Sequence, residues 1–280
     1  MKAVLVFVEG AHDAVFVQRS LGAVDGCVWV PDPISDLPTP FGRLPAGKQS
    51  GIIDQHYRRQ NLDGLNLQQA SRAPLPHFTA FLRHEPSQTQ FLIVRAHGQD
   101  QHRNIIRLLG DLDLVMKTAR QPLDVEACAA AFVYDADNSA AATVELFRQR
   151  YADHFGDLSS LDQARWQNTD KGPVGCFIFC AQGQDSGTLE DELGPMVEGA
   201  WPERTAAARA FIDGQKPDDN DKVGRSEAKR WKAIITAAGQ RRCPGDPMSI
   251  VISRAGLPED VYAQSRLGQD LAQFLLRMPW

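Results

Sequence analysis

The chain has 280 residues, 43% of them hydrophobic and 23% charged, with a formal net charge of -5. These values are ordinary for a soluble globular protein with a sizeable core and do not advertise nucleic-acid binding. No apolar run approaches the roughly 18–20 residues of a membrane span, which argues against a transmembrane helix.

In chain order, Val4–Val8 reads as a strand rather than the core of a signal peptide, because Glu9 and Asp13 stand where a small-residue cleavage site would be expected. Further strand-like runs fall at Gln90–Arg95, Ala129–Tyr134 and Gly175–Ala181. Each is almost continuously apolar, which suits parallel strands covered on both faces. Helical patterns follow at Asp13–Leu21, Arg103–Leu114, Ala140–His154 and Thr188–Val197, with more at Glu203–Asp213, Ser226–Ala238 and Gly268–Arg277. A late strand is expected at Ser249–Ile252, joining a sheet edge. The alternation of strands and helices predicts an α/β fold with a mostly parallel central sheet flanked by helices. Residues 31–88, which hold eight of the seventeen prolines, are expected to form an irregular insertion, and residues 201–280 a helical extension packed on a single domain. The five cysteines are odd in number and include no CxxC pair. That usage fits a reducing, cytoplasmic compartment.

The candidate chemistry lies where strands end. Glu9 and Gly10 close the first run, and Asp13 opens the helix that follows. In AAAFVYDADNSA (129–140) the run ends in Asp135 and Asp137, two residues apart and therefore able to face the same way. Ligands of open α/β sheets sit at these carboxyl ends. Neighbouring carboxylates repel unless they share a proton or neutralise a cation, and hard oxygen ligands suit Mg²⁺ or Mn²⁺. Helix capping is the competing account: Asp137, Asn138 or Ser139 can cap the next helix, and Asp13 favours a helix dipole. A third strand end leads through Ser186 and Gly187 to Thr188-Leu189-Glu190. Arg225–Arg242 carries six basic residues against Glu227, either a solvated helix face or a site for an anionic ligand. Gly42–Gln49 approximates a phosphate loop, but Gln49 replaces the Ser/Thr that would hold magnesium, so it is set aside.

VEGxxD after an N-terminal strand, followed by DxD, GTLE and a lysine-bearing helix (Ser226–Lys229), resembles the Toprim domain of topoisomerases, bacterial primases and overcoming-lysogenization-defect (OLD) nucleases. The resemblance is nearest to small stand-alone Toprim-like proteins. It covers 1–30, 89–200 and, more loosely, 201–280, but not the proline-rich stretch. It implies a Rossmann-like Toprim fold with two divalent ions, Mg²⁺ or Mn²⁺. Their ligands would be Glu9, Asp13, Asp135, Asp137 and Glu190, with Glu9 also serving as acid/base and Lys229 stabilising charge on a phosphate. The implied activity is phosphodiester cleavage of DNA or RNA, held by Arg225, Arg230, Lys232, Arg241 and Arg242. OLD nucleases carry an ATPase ahead of their Toprim domain, and the absence of one here suggests a separately encoded ABC/AAA-type ATPase partner, as in phage defence. No tyrosine-nucleophile domain or primase zinc region is recognisable. A regulatory or binding subunit without independent catalysis is the alternative from another class, and the sequence leaves room for a homo-oligomer. A haloacid-dehalogenase-like phosphatase also uses DxD, but would place it near the start and carry Thr or Val at the position of Ser139.

Overall fold

The structure, a computed structural model, describes residues 1–31, 37–42, 52, 77–96, 98, 101–119, 122–215, 223, 226–253 and 256–280. Strand β1 (Lys2–Val8) is its hub. It pairs in parallel with β4 (Thr89–Arg95) on one side and β5 (Ala127–Asp135) on the other, and β5 pairs in parallel with β7 (Gly172–Phe179). Antiparallel strands extend both edges: β3 (His77–His84) on β4 and β2 (Cys27–Trp29) on β3, and β6 (Arg165–Thr169) on β7. The order across the seven-stranded sheet is β2-β3-β4-β1-β5-β7-β6.

The helices are α1 (Ala11–Gly22), α2 (His102–Thr118), α3 (Ala140–Phe155), α4 (Leu189–Ala200), α5 (Pro202–Asp213), α6 (Glu227–Gly239), α7 (Met248–Val251), α8 (Glu259–Gln264) and α9 (Arg266–Leu276). They form a layer on each face of the sheet. Val4, Val6 and Val8 point to one side, against Phe16 and Leu21 of α1, Leu193 of α4, Ile234 of α6 and Leu271 of α9. Ala3, Leu5 and Phe7 point to the other, against Leu108 of α2 and Phe147 and Tyr151 of α3. Both residue parities of β1 are thus buried, which is why its sequence is apolar without alternation. The fold is α/β, with a mixed seven-stranded sheet whose four central strands are parallel and whose faces carry helices.

Two expectations are corrected. The stretch 31–88 is not irregular throughout: β3 occupies His77–His84 and pairs with β4 along its length. Its apolar residues, Phe78, Ala80, Phe81 and Leu82, lie inside the sheet despite the nearby prolines. Ser249–Ile252 is not a strand but falls in the short helix α7 and its C-cap, with Pro247 at the N-cap. Four consecutive apolar or small residues carry no period that separates a buried helical turn from a strand. Most of the phosphate-loop-like segment, from Arg43 to Gln49, lies outside the described residues.

Candidate functional site

β1 and β5 are neighbours, yet α1 packs on the face of Val4, Val6 and Val8 while α3 packs on the opposite one. A divergence of this kind opens a crevice beyond the carboxyl ends of the two strands. Val8 is level with Val133, so Glu9 and Asp135 leave the sheet at nearly the same height.

Each acid arrives there on a local device. Gly10 is the N-cap of α1, and its N–H donates to Asp13 Oδ2 at 2.7 Å, reciprocating the cap from the third helical position. On α4, Thr188 plays the same part, its N–H donating to Asp191 Oδ2 at 2.8 Å. The next N–H, that of Leu189, donates across the crevice to Asp135 Oδ1 at 2.8 Å. The β5 carboxylate therefore meets the positive end of α4. Glu190 follows and is only 2% exposed.

Gly187 makes this crossing feasible. It has a φ of 124°, and a Cβ there would collide with the Ala181 backbone nitrogen. Its backbone exchanges hydrogen bonds with Asp137, 2.9 Å from Asp137 N–H to Gly187 O and 3.0 Å in return. Ser139 Oγ caps α3 by accepting from Ala142 N–H, and donates to Asp185 Oδ2 at 2.8 Å. The two loops after β5 and β7 are thereby stitched into one rim.

The electrostatics of the crevice are those of crowded acids. Burial pushes the Asp135 carboxyl up to about 8, and the charges of Asp13, Glu190 and Glu9 push the same way against the Leu189 hydrogen bond. Asp13 is likewise raised, by burial and by Glu190, despite the Gly10 N–H and the pull of His12 and Lys232. Glu190 is displaced in the other direction. Burial raises it, but His12, Lys232 and Thr188 outweigh that and hold it below its ordinary value. Lys232 Nζ stands 3.0 Å from Glu190 Oε1, and His12 Nδ1 lies 3.6 Å from the same oxygen. Glu190 Oε2 is buried with no hydrogen-bond partner.

Glu9, Asp13, Asp135 and Glu190 thus share one electrostatic environment. Asp137 stands apart from it: it is exposed, adopts a left-handed φ of 50°, and is absent from the charges that perturb Asp135. Lys229 is exposed on the outer face of α6, and the lysine that enters the crevice is Lys232, one turn later. The sequence alone did not assign His12 or Lys232 to the acids. Helix phase carries the signal for Lys232: Trp231, Ile234, Ile235 and Ala238 form the buried stripe of α6, Lys229 falls opposite it and Lys232 beside it.

The basic segment is largely occupied within the fold. Arg230 donates to Asp213 through Nε at 2.9 Å and Nη2 at 2.6 Å, and to Glu227 through Nη1 at 2.9 Å. Arg242 donates to the Gly256 carbonyl at 2.9 Å, and Arg241 is exposed. Arg225 lies outside the described residues.

The donor chemistry suits a hard divalent cation, since it offers carboxylates of raised proton affinity and one buried carboxylate oxygen without a partner. As the side chains stand, no group of three or more His, Cys, Asp or Glu among the described residues is gathered as a metal site.

No family model matches the chain, and no curated protein does. A solved structure, a hypothetical protein from Pyrococcus horikoshii OT3, is 18% identical, covering 99% of this chain and 95% of its own with a TM-score of 0.49. At that identity and overlap the likeness carries no functional information.

Proposed function

We propose that the chain is a Toprim-like, divalent-metal-dependent nuclease. The observation that supports this reading best is the convergence of Glu9, Asp13, Asp135 and Glu190 from three separate strand–helix junctions on the crevice between β1 and β5. A structural role does not require burial and crowding that together lift a carboxyl to about 8; such perturbation is typical of functional sites.

In this reading Glu9, Asp13, Asp135 and Glu190 would hold Mg²⁺ or Mn²⁺, and Asp137 would be the ligand left for a second ion. Two bound ions would activate water and stabilise the leaving oxygen of a phosphodiester. The protein's part is to hold the carboxylates at a rigid rim and to present Lys232, with Lys229 and Arg241 outside it, to a phosphate. Arg230 is spoken for by Asp213 and contributes little to such a surface. DNA and RNA both fit this chemistry. A separately encoded ATPase and a part in phage defence belong to the same proposal, and co-purification of such an ATPase would support it. All five cysteines are unpaired, in keeping with the cytoplasm as the place of action.

A second reading, a regulatory subunit without turnover, draws on a specific observation. Asp13 caps α1, Asp135 caps α4 and Glu190 holds Lys232, so each acid also has a structural partner. Plasmid DNA, linear DNA and tRNA incubated with and without Mn²⁺ separate the two. The nuclease reading expects Mn²⁺-dependent cleavage that Glu9→Ala and Asp135→Ala abolish. Cleavage that survives either substitution would remove the site assignment, and no cleavage of any substrate would favour the regulatory subunit.

A further inference from the structure

We propose that Lys232 is the built-in counter-ion of the carboxylate crevice, and that a divalent cation binds there only by displacing its ammonium, so that this lysine sets the metal affinity. The inference rests on the metal-site reading above and adds to it a competitor supplied by the chain itself.

Two basic groups, from α6 and α1, converge on one atom of Glu190. Lys232 Nζ and His12 Nδ1 lie 3.0 and 3.6 Å from Glu190 Oε1, while Glu190 Oε2, buried, has no partner. Glu190 is thus half-claimed: one oxygen neutralised from α6, the other desolvated with nothing to accept from. A desolvated carboxylate oxygen is costly to leave unpaired, and the crevice acids are its immediate electrostatic neighbours. Lys232 also feels Asp135 and Asp13, whose charges raise its proton affinity against the opposing effect of burial.

One ammonium cannot balance this group. Asp13, Asp135 and Glu190, if all ionised, carry three negative charges against one positive. A divalent ion brings twice the charge of Lys232 to the same oxygens. The two cations cannot share Glu190 Oε1 without repulsion, so occupancy by one disfavours the other.

The geometry lets the lysine leave without unfolding anything. The Lys232 side chain is 46% exposed, so its head can swing into water on a flexible stem. Its base is fixed, because a Cβ at Gly194 of α4 would collide with the indole of Trp231, which shows how closely α6 lies on α4 beside the lysine. The head is mobile and its anchor rigid, an arrangement that suits a displaceable counter-ion better than a permanent strut. Once displaced, the ammonium remains at the mouth, where a phosphate would arrive.

The test is calorimetric titration of Mn²⁺ alone into the metal-free protein at pH 8, with no nucleic acid. Lys232→Met should bind Mn²⁺ about tenfold more tightly than the wild type, within the usual range of coupling between competing ligands. Lys232→Arg, which retains the charge, should bind no more tightly than the wild type. Lys117→Met, the same charge change beside Asp113 on the outer helix layer, should match the wild type. Thermal unfolding supplies a second readout, in which Mn²⁺ should raise the melting temperature of Lys232→Met more than that of the wild type. Equal or weaker binding by Lys232→Met, while the wild type binds, overturns the counter-ion role and leaves the metal site standing. Absence of Mn²⁺ binding by both proteins overturns the metal site and the counter-ion together.

Discussion

Lys232 Nζ on α6 and Glu190 Oε1 on α4 stand 3.0 Å apart, joining the C-terminal helices to the end of the sheet. Glu190 is buried and its charge is among those that raise Asp135. Replacing it by its neutral isostere should therefore act on a residue of another strand. In Glu190→Gln the Asp135 carboxyl should titrate below its wild-type value of about 8, observable by carboxyl-carbon NMR against pH. An unmoved Asp135 would mean that the two acids do not share a field.

The same carboxyl gives the metal-free protein a pH dependence with a definite sign. Asp135 has an ordinary value of 3.8 and is lifted to about 8 in the fold. Between those values the folded chain keeps a proton that the unfolded chain has lost, so stability falls as pH rises. The contribution is complete below the ordinary value and lost as pH passes the folded one. Thermal melts without metal should show this decline, and Asp135→Asn should flatten it. A wild type that gains stability from pH 5 to 8 with the same slope as Asp135→Asn would contradict the assignment.

Asp13 has two jobs that substitution can separate. Asp13→Ala removes the acceptor of Gly10 N–H and should cost about 1 kcal/mol, as lost helix caps do. Asp13→Asn keeps an acceptor oxygen, so stability should be closer to wild type, while the ionic ligand is lost. Denaturant midpoints measure the first effect and Mn²⁺ affinity the second. Metal affinity that tracks stability across both variants would reduce Asp13 to a cap.

Among the basic residues, Arg230 should behave differently from Lys229 and Arg241. Arg230 is held by Asp213 and Glu227, so Arg230→Ala should leave the salt dependence of nucleic-acid binding unchanged. It should cost roughly 0.2–1 kcal/mol of stability, in the range of surface ion pairs. Lys229→Ala and Arg241→Ala should instead weaken binding and each reduce the salt slope by about one contact. Filter binding at several salt concentrations decides this.

The sequence displayed the parts of the fold whose environment is uniform. β1, β4, β5 and β7 lie inside the sheet with helices on both faces, so their runs are apolar throughout and their ends are marked by Glu9, Asp135 and the Gly187 turn. The edges were not displayed. β6 reads Arg165-Trp-Gln-Asn-Thr because much of it faces solvent, and β2 has only three residues. In the site, Glu9 and Asp135 were visible because a charge that closes a buried apolar run must leave the sheet at its rim. Which lysine joins them was not, since that depends on how α6 is rotated against α4, fixed by the fit of Trp231 over Gly194. Nor was the use of Asp135 as a cap, which requires knowing that α4 begins beside the end of β5.

The central claim is that these carboxylates exist to hold a divalent cation. Its most direct test is Mn²⁺ titration by calorimetry at pH 7, in two buffers of different ionisation enthalpy, for the wild type and Asp135→Asn. Because Asp135 is protonated below about 8 in the metal-free fold, a cation must expel that proton. The expected result is binding to the wild type with net proton release to the buffer, and loss of both in Asp135→Asn. No binding, or binding that Asp135→Asn leaves intact, would contradict the claim.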